Sequence, residues 1–134
     1  MTAYLLDCNH LSVAIRKVSR LRDRLWQERR AGHRLGTCLP ALCELEVGMV
    51  QTHNPAEYFR RLREIMSIVR VWPLDSGVTG IYAETYLQAK QMGKAISQVD
   101  LILASMAKLQ GMTLLTSDRD FEPFSQLSIE NWAT

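Results

Sequence analysis

Short apolar runs alternate along this chain with longer segments whose apolar residues recur at helical spacing. Five of the short runs predict strands, at residues 3–6, 35–39, 68–72, 113–116 and 127–132. The last of them alternates between polar and apolar side chains, as an edge strand does. A succession of strands and helices is typical of a parallel sheet with helices on both faces. We therefore predict an α/β fold of three layers, α/β/α, built on a parallel sheet of four to five strands.

The segments between these runs carry the start and stop signals of helices. Residues 11–31 predict one long helix or two short ones, and Pro40 and Pro55 suit the first turns of the next two helices. A further helix is predicted over residues 78–92. The contacts expected for it include Ile81, Thr85, Leu87 and Met92. Helices of this length fit the crossover connections of a parallel sheet.

The helix predicted between Ser97 and Gly111 brings an acidic residue to a particular place. Ser97 is a good N-cap and Gly111 suits the position after the last turn, so Asp100 falls in the first turn. The strand that follows ends in a polar turn containing Asp118 and Asp120. In a parallel α/β sheet, the ligand crevice lies beyond the carboxyl ends of the strands. These acids therefore predict half of a cation-binding site.

The first half of the chain supplies the remaining acids. Asp7 follows the first predicted strand just as Asp118 follows the fourth, although a lone acid at a strand end can also be a helix cap. Glu44 and Glu46 lie on the two flanks of the helix that begins near Pro40. Periodicity leaves both open, as site residues or as solvent-facing borders of a core helix. Small neighbouring residues, which permit close approach of another element, favour Glu44.

Several carboxylates in one crevice require a counter-charge. Two carboxylates ~4 Å apart repel by roughly 4 kcal/mol at an effective dielectric constant of about 20. Oxygen ligands of this kind suit Mg²⁺ or Mn²⁺ rather than zinc. A cation in an open carboxylate site lowers the pKa of a bound water and stabilises charge on phosphoryl oxygens. The acids therefore indicate a phosphodiester hydrolase.

Other catalytic designs lack their residues in this chain. No serine lies in a Gly-x-Ser-x-Gly elbow, and the seven glycines form no phosphate-binding loop. His10, His33 and His53 stand beside turn residues without a second histidine at metal-ligand spacing, so none of them is assigned to a metal. The acids remain as the candidate chemistry.

The composition indicates one soluble domain. A chain of 134 residues that is 47% hydrophobic can bury its own core, so we expect a single domain over residues 1–134. Cys8, Cys38 and Cys43 have no metal-finger spacing and leave one thiol unpaired, so we expect reduced cysteines. No apolar run approaches the ~18 residues of a membrane span, and no basic leader is seen. We expect a cytoplasmic protein with no membrane partner.

The net charge of +2 is unevenly distributed. Residues 1–70 hold twelve Lys and Arg against seven Asp and Glu, whereas residues 71–134 hold four against seven. Much of the positive charge lies between residues 16 and 34, in a segment that also has helical apolar spacing. This surface is either a solvated helix face, or a contact surface for nucleic acid or an acidic partner.

Four segments of the chain occur in a characteristic order. They are Leu5-Leu6-Asp7-Cys8-Asn9, Cys43-Glu44-Leu45 with Gly48 close behind, Val99-Asp100-Leu101-Ile102-Leu103-Ala104, and Leu114-Leu115-Thr116-Ser117-Asp118-Arg119-Asp120-Phe121. Together they resemble the four signatures of the PIN domain family, and among its members those of the VapC-type toxins of prokaryotic toxin–antitoxin systems. The resemblance covers nearly the whole chain.

This resemblance implies an endoribonuclease toxin, dependent on Mg²⁺ or Mn²⁺, that hydrolyses RNA phosphodiesters with a metal-activated water. The catalytic and metal-binding acids would be Asp7, Glu44, Asp100 and Asp118, with Asp120 as a further metal ligand or an alternative fourth acid. The family also implies a homodimer and a small cognate antitoxin whose tail crosses the active-site groove. The residues expected to contact RNA or the antitoxin are Arg16, Arg20, Arg24 and Arg119.

Two positions depart from the family pattern, and three other functions remain as alternatives. Cys8 stands where Thr is usual, and Ala41 replaces a common Ser or Thr, but neither change removes a carboxylate. The main alternative is a non-catalytic RNA- or partner-binding module on the same fold; the presence of all four acids argues against it. A phosphoacceptor receiver domain would need a second acid beside Asp7, and a small-molecule phosphohydrolase would turn over a simple monoester.

Overall fold

A computed structural model describes residues 1–133 and contains a parallel sheet of five strands. In chain order the strands are β1 (Ala3–Leu6), β2 (Arg34–Thr37), β3 (Val69–Val71), β4 (Thr113–Leu115) and β5 (Ser128–Glu130). Their spatial order is β3-β2-β1-β4-β5, and every neighbouring pair is parallel. The parallel sheet predicted from the sequence is confirmed, and the last predicted strand does lie at an edge.

The described residues form six α-helices. They are α1 (Cys8–Ala14), α2 (Arg20–Arg30), α3 (Leu39–Val50), α4 (Pro55–Ile65), α5 (Val78–Gln91) and α6 (Gln98–Gln110). The segment that predicted one or two helices forms two, α1 and α2. Ser19 causes the break, because its side chain caps α2 by accepting a hydrogen bond from the Arg22 backbone N–H at 3.1 Å. None of the helices within residues 1–133 is long and apolar enough to cross a membrane.

Two apolar clusters fill the space on the two faces of the sheet. On one face, residues of β1 to β4 pack against α1, α2, α3 and α4. On the other face, Leu5 of β1 and Leu114 of β4 pack mainly against α5 and α6. Successive strand residues such as Leu5 and Leu6 are fully buried on opposite faces. The predicted three-layer α/β/α architecture is therefore confirmed.

The contacts expected for the helix at residues 78–92 were partly wrong. Leu87 and Met92 are 53% and 43% exposed, whereas Thr85 and Ala89 are buried. Helix α5 packs chiefly on α6, so only a narrow face of it is covered. Apolar spacing identifies such a helix, but it does not determine how wide a face its neighbour covers.

The winding of the chain creates a crevice beside β1. From β1 the chain moves outward to β2 and β3, and it then returns to β4 on the other side of β1. The gap between β1 and β4 is thus the point where the strand order reverses, which is the usual ligand position in open α/β sheets. The Asp7 backbone N–H donates to the Leu115 carbonyl oxygen at 3.2 Å. This bond carries the β1–β4 pairing up to the edge of the crevice.

Candidate active site

Asp7 and Asp118 lie beyond the carboxyl ends of β1 and β4, on either side of the switch point. Asp7 is only 5% exposed, and its Oδ1 accepts a hydrogen bond from the His10 backbone N–H at 2.7 Å, which caps α1. Asp118 caps a short 3₁₀ turn over Arg119–Phe121, because its Oδ1 accepts from the Asp120 N–H at 2.9 Å. Capping engages one oxygen of each carboxylate and holds the side chain in place. Asp7 and Asp118 can therefore each act as a cap and still be a residue of the site.

Asp100 and Glu44 approach the same crevice from two helices. Asp100 lies in the first turn of α6, where the Ser97 side chain caps the helix by accepting from the Asp100 N–H at 3.2 Å. The other end of α6 closes at Gly111, which has the left-handed backbone (φ 66°) expected of a C-terminal glycine. Both caps confirm the boundaries predicted from the sequence. Glu44 projects from α3, which follows β2.

The electrostatics of Asp100 connect all four acids. Burial is the largest cause that raises the pKa of the Asp100 carboxyl, and the charges of Asp7, Asp118 and Glu44 raise it further. A hydrogen bond from Ser97 partly opposes the increase in this pKa. Because only nearby charges produce such an effect, the four carboxylates share one environment. Glu44, rather than Glu46, is the helix α3 acid that acts on Asp100.

The four acids carry the oxygen ligands that a hard divalent cation prefers, but their side chains are not gathered around one point. Within residues 1–133 no group of three or more His, Cys, Asp and Glu side chains is positioned to hold a metal ion. The donor set consists of carboxylates, which are the ligands that Mg²⁺ and Mn²⁺ prefer. Mutual repulsion of uncompensated carboxylates keeps such side chains apart. The residues therefore fit a magnesium-type cation that would draw them together.

Asp120 differs from these four acids in its surroundings. Its Oδ1 lies 3.2 Å from the Lys94 Nζ, so its charge is already paired. It is also absent from the charges that raise the pKa of Asp100. The neighbouring Arg119 is paired with Glu122, with 3.3 Å between Nε and Oε1. Asp118 is therefore the better candidate for the fourth acid.

The predicted contact arginines have different environments. Arg16 and Arg20 are exposed. The guanidinium of Arg24 lies 4.1 Å from the centroid of the Trp132 ring, in a cation–π contact. Arg22 was not singled out in the sequence, yet it is the arginine with the clearest structural role. Its guanidinium donates to the carbonyl oxygens of Ala14, Arg16 and Lys17, at 2.9, 2.7 and 3.2 Å, and so joins α1 to α2.

Sequence reasoning missed a histidine that touches the site. His10 is fully buried, and its Nδ1 lies 3.1 Å from Asp7 Oδ1. The available signal was the three-residue spacing from Asp7, which places the two side chains on the same turn of a helix that starts after a strand. That signal alone does not separate a buried core histidine from a partner of the carboxylate.

The reactivity of the Cys8 thiol depends on the charges around it, so it provides a test of the acid cluster. Burial, together with Glu44, Asp7 and Asp100, raises the pKa of the Cys8 thiol to about 11. We expect iodoacetamide at pH 8 to modify the exposed Cys43 readily and Cys8 very slowly, since only roughly one Cys8 thiol in a thousand is then ionised. The Cys8 rate should rise as the pH approaches 11. Peptide mass spectrometry over a pH series measures both rates.

A charge-removing variant supplies the control for this labelling. Glu44→Gln removes one of the charges that raise the pKa of Cys8, so Cys8 should be alkylated faster in that variant at the same pH. Glu46→Gln, on the other flank of α3, should leave the rate unchanged. Equal Cys8 rates in the wild type and the Glu44→Gln variant would show that Glu44 does not face this crevice.

Comparisons with known proteins agree with this arrangement. A sequence model of the PIN domain family matches residues 4–126. A relative from Rickettsia felis, ribonuclease VapC2, is 27% identical over 92 residues, which cover 68% of this chain and 69% of the relative. The crystal structure of VapBC2 from Rickettsia felis bound to a promoter DNA fragment contains a chain of the same fold, with a TM-score of 0.87 and 24% identity over 98% of this chain and 99% of that one. VapBC-5 of Mycobacterium tuberculosis, a member of the VapBC family of toxin–antitoxin systems, matches with a TM-score of 0.69 and 21% identity over 98% and 99% of the two chains.

Proposed function

This chain belongs to the PIN domain family, and from that premise we propose that it is a metal-dependent endoribonuclease, the toxin of a toxin–antitoxin system. Its similarity to a ribonuclease of Rickettsia felis supports the activity. Its structural similarity to a member of the VapBC family of toxin–antitoxin systems supports the biological setting. We further propose that residues 1–134 form a single PIN domain.

The observation that carries this proposal is that Asp7, Asp118 and Glu44 all act electrostatically on Asp100 at the switch point of the sheet. Their shared charge, together with burial, raises the pKa of Asp100. An RNA phosphodiester is itself an anion, so it would be repelled from this crevice unless a cation offset the carboxylates. The site therefore favours a reaction in which a divalent cation and the RNA occupy the crevice together.

Asp7, Glu44, Asp100 and Asp118 are the residues that would hold Mg²⁺ or Mn²⁺. Such an ion supplies a bound water of lowered pKa and stabilises the charge that builds on the phosphoryl oxygens. Asp7 and Asp118 are held by their caps, so their free oxygens keep a defined position at the ends of β1 and β4. Asp100 and Glu44 come from helices on opposite faces of the sheet, so they close the crevice from two sides.

A cleavage assay tests the reaction itself. We expect purified protein to cut RNA into discrete fragments in the presence of Mg²⁺, to lose this activity in EDTA, and to leave 5′-phosphate ends. Attack of an activated water with departure of the 3′-oxygen produces these ends. Mapping of the fragment ends is the decisive measurement. A 2′,3′-cyclic phosphate would instead require attack by the ribose 2′-hydroxyl and would contradict the proposal.

The alternative of a non-catalytic binding module makes a different prediction for the same experiment. The exposed basic residues of the α1–α2 region, which include Arg16 and Arg20, are the surface that such a module would use. RNA would then bind with an affinity that falls steeply with salt, and it would stay intact with or without metal. We favour the enzyme because the acid cluster would have no role in the binding module.

We propose a small antitoxin protein and a second copy of this chain as partners. The family resemblance suggests that the antitoxin tail crosses the carboxylate crevice, where a basic side chain could pair with the acids. Arg24 and Arg119 are already engaged in ion pairs, so Arg16 and Arg20 are the freer candidates for contacts with the antitoxin or RNA.

A further inference from the structure

His10 joins a carboxylate of the candidate site to the far end of the chain. On one side of the ring, Nδ1 lies 3.1 Å from Asp7 Oδ1. On the other side, Nε2 lies 3.1 Å from the backbone nitrogen of Trp132, which is 122 residues further along the chain. The ring is fully buried, so no solvent competes for either nitrogen. Both hydrogen bonds are therefore part of the folded core.

These two contacts determine which nitrogen carries the proton. A backbone N–H can only donate, so Nε2 must accept the Trp132 hydrogen bond with its lone pair. The neutral imidazole then carries its hydrogen on Nδ1, where it donates to Asp7 Oδ1. The Trp132 contact thus selects the tautomer that the Asp7 carboxylate needs.

The Asp7 carboxylate is consequently held at one oxygen. Oδ1 receives both the His10 backbone N–H at 2.7 Å and the His10 ring N–H at 3.1 Å. Oδ2 makes no hydrogen bond to any of residues 1–133 and so remains available to a ligand. Because a rotated carboxylate would have to make these two hydrogen bonds again with its other oxygen, the two donors favour one orientation of the side chain.

The donor on Trp132 is itself firmly anchored. The Trp132 side chain is 6% exposed, and its ring centroid lies 4.6 Å from that of Tyr4. Its indole Nε1 donates to Glu130 Oε1 at 3.0 Å, and the Arg24 guanidinium lies over the ring. The segment after β5 is therefore attached to β1 and α2 on the same face of the sheet as His10.

We propose that His10 is a positioning residue, which uses the Trp132 N–H to fix its tautomer and orients Asp7 so that Oδ2 is presented to the metal ion. The inference rests on the proposed function, in which Asp7 is a metal ligand. Groups that hydrogen-bond a metal ligand typically change metal affinity or activity 10- to 100-fold when they are removed. The C-terminal segment of the chain then contributes to the site without contacting the substrate.

Calorimetric titration of Mn²⁺ into three histidine variants tests this role apart from catalysis. We expect His10→Leu, whose side chain has no donor, to bind Mn²⁺ about 10- to 100-fold more weakly than the wild type. His10→Asn offers an amide N–H near the position of Nδ1 and should recover most of the affinity. His53→Asn changes an exposed histidine and should bind as the wild type does. Circular dichroism verifies that each variant is folded.

Several outcomes would overturn the inference. A folded His10→Leu variant that binds Mn²⁺ like the wild type would show that Asp7 needs no positioning. Equal losses in His10→Leu and His10→Asn would assign the effect to ring packing rather than to the donor. A wild-type protein that binds no Mn²⁺ would contradict the proposed function itself, and this role with it.

The tautomer can also be measured without any substitution. Long-range ¹⁵N–¹H spectra of the metal-free wild-type protein, labelled at histidine, distinguish a protonated Nδ1 from a protonated Nε2. We expect His10 to show a protonated Nδ1 and an unprotonated Nε2. The reverse assignment would refute the hydrogen-bond network even if the chain proves to be a metal-dependent nuclease.

Discussion

Replacing Asp100 by Asn should abolish RNA cleavage while leaving the fold intact. The change keeps the size of the side chain and removes one negative charge from the four that would hold the cation. Loss of a direct metal ligand should lower the rate by more than the roughly 10- to 100-fold that is typical when a group supporting a ligand is removed. The measurement is the initial rate of cleavage in Mg²⁺ at equal concentrations of folded protein. Asp23→Asn, an exposed change on α2 that also removes one charge, should cleave like the wild type.

The same substitution should raise stability in the absence of metal. Because the pKa of Asp100 is raised in the folded protein, the ionised carboxylate is less favourable there than in the unfolded chain. That penalty is absent below the ordinary value of 3.8, grows as the pH rises from there towards the higher folded pKa, and is complete above it. Asp100→Asn should therefore melt at a higher temperature than the wild type at pH 7, and the difference should shrink as the pH falls below about 4.

Mg²⁺ should reverse the order of the two melting temperatures. A cation that binds only the folded protein stabilises it, by about 2.7 kcal/mol at a concentration 100 times the dissociation constant. The wild type should gain this stabilisation, and Asp100→Asn should gain little of it. A wild-type melting temperature that does not move in millimolar Mg²⁺, together with full cleavage by Asp100→Asn, would exclude a metal site at these acids.

Gly36→Ala should destabilise the protein by about 1–3 kcal/mol. Gly36 is the third residue of β2, and a Cβ built there would lie 2.3 Å from Cε3 of the Trp72 ring. The backbone cannot easily move, because Gly36 is paired on both sides, with Leu5 and with Arg70. The backbone of Trp72 is also held in place, since the Trp72 backbone N–H donates to the Thr37 carbonyl oxygen at 2.9 Å. Urea denaturation of the metal-free protein measures the change in the free energy of unfolding.

Gly48→Ala is the matched control for this effect. Gly48 lies inside α3, and a Cβ built there meets no atom within 4 Å. Alanine is a better helix former than glycine by up to ~1 kcal/mol, so this variant should be slightly more stable than the wild type. Equal destabilisation by both substitutions would show that the contact with Trp72 is not the cause.

Much of the fold could be predicted because its signals are local. Ser97 and Gly111 mark the two ends of α6 through hydrogen bonds and backbone angles that involve only neighbouring residues. The apolar run in β1 is buried on both faces, which is why it reads as a continuous strand. The position of Asp7 directly after this strand follows from the sequence alone.

The candidate acids could be identified for the same reason, but the contacts that each of them makes could not. Asp120 and Asp118 look alike in the sequence, and only packing brings Lys94 to within 3.2 Å of Asp120. Glu44 and Glu46 lie on two flanks of one helix, and the choice between them depends on how α3 is set against the sheet. Such distinctions arise from contacts between distant parts of the chain, which leave no periodic pattern.

By itself, the sequence determined the strands and helices, the helix caps, and the presence of acids at strand ends and helix starts, since each depends on a few neighbouring residues. The tertiary structure alone decided the strand order, which sets Asp7 and Asp118 on either side of one crevice. It alone also decided that the Trp132 backbone reaches His10 across 122 residues. Both depend on how the sheet and its helices pack as a whole, because the groups that meet are far apart along the chain.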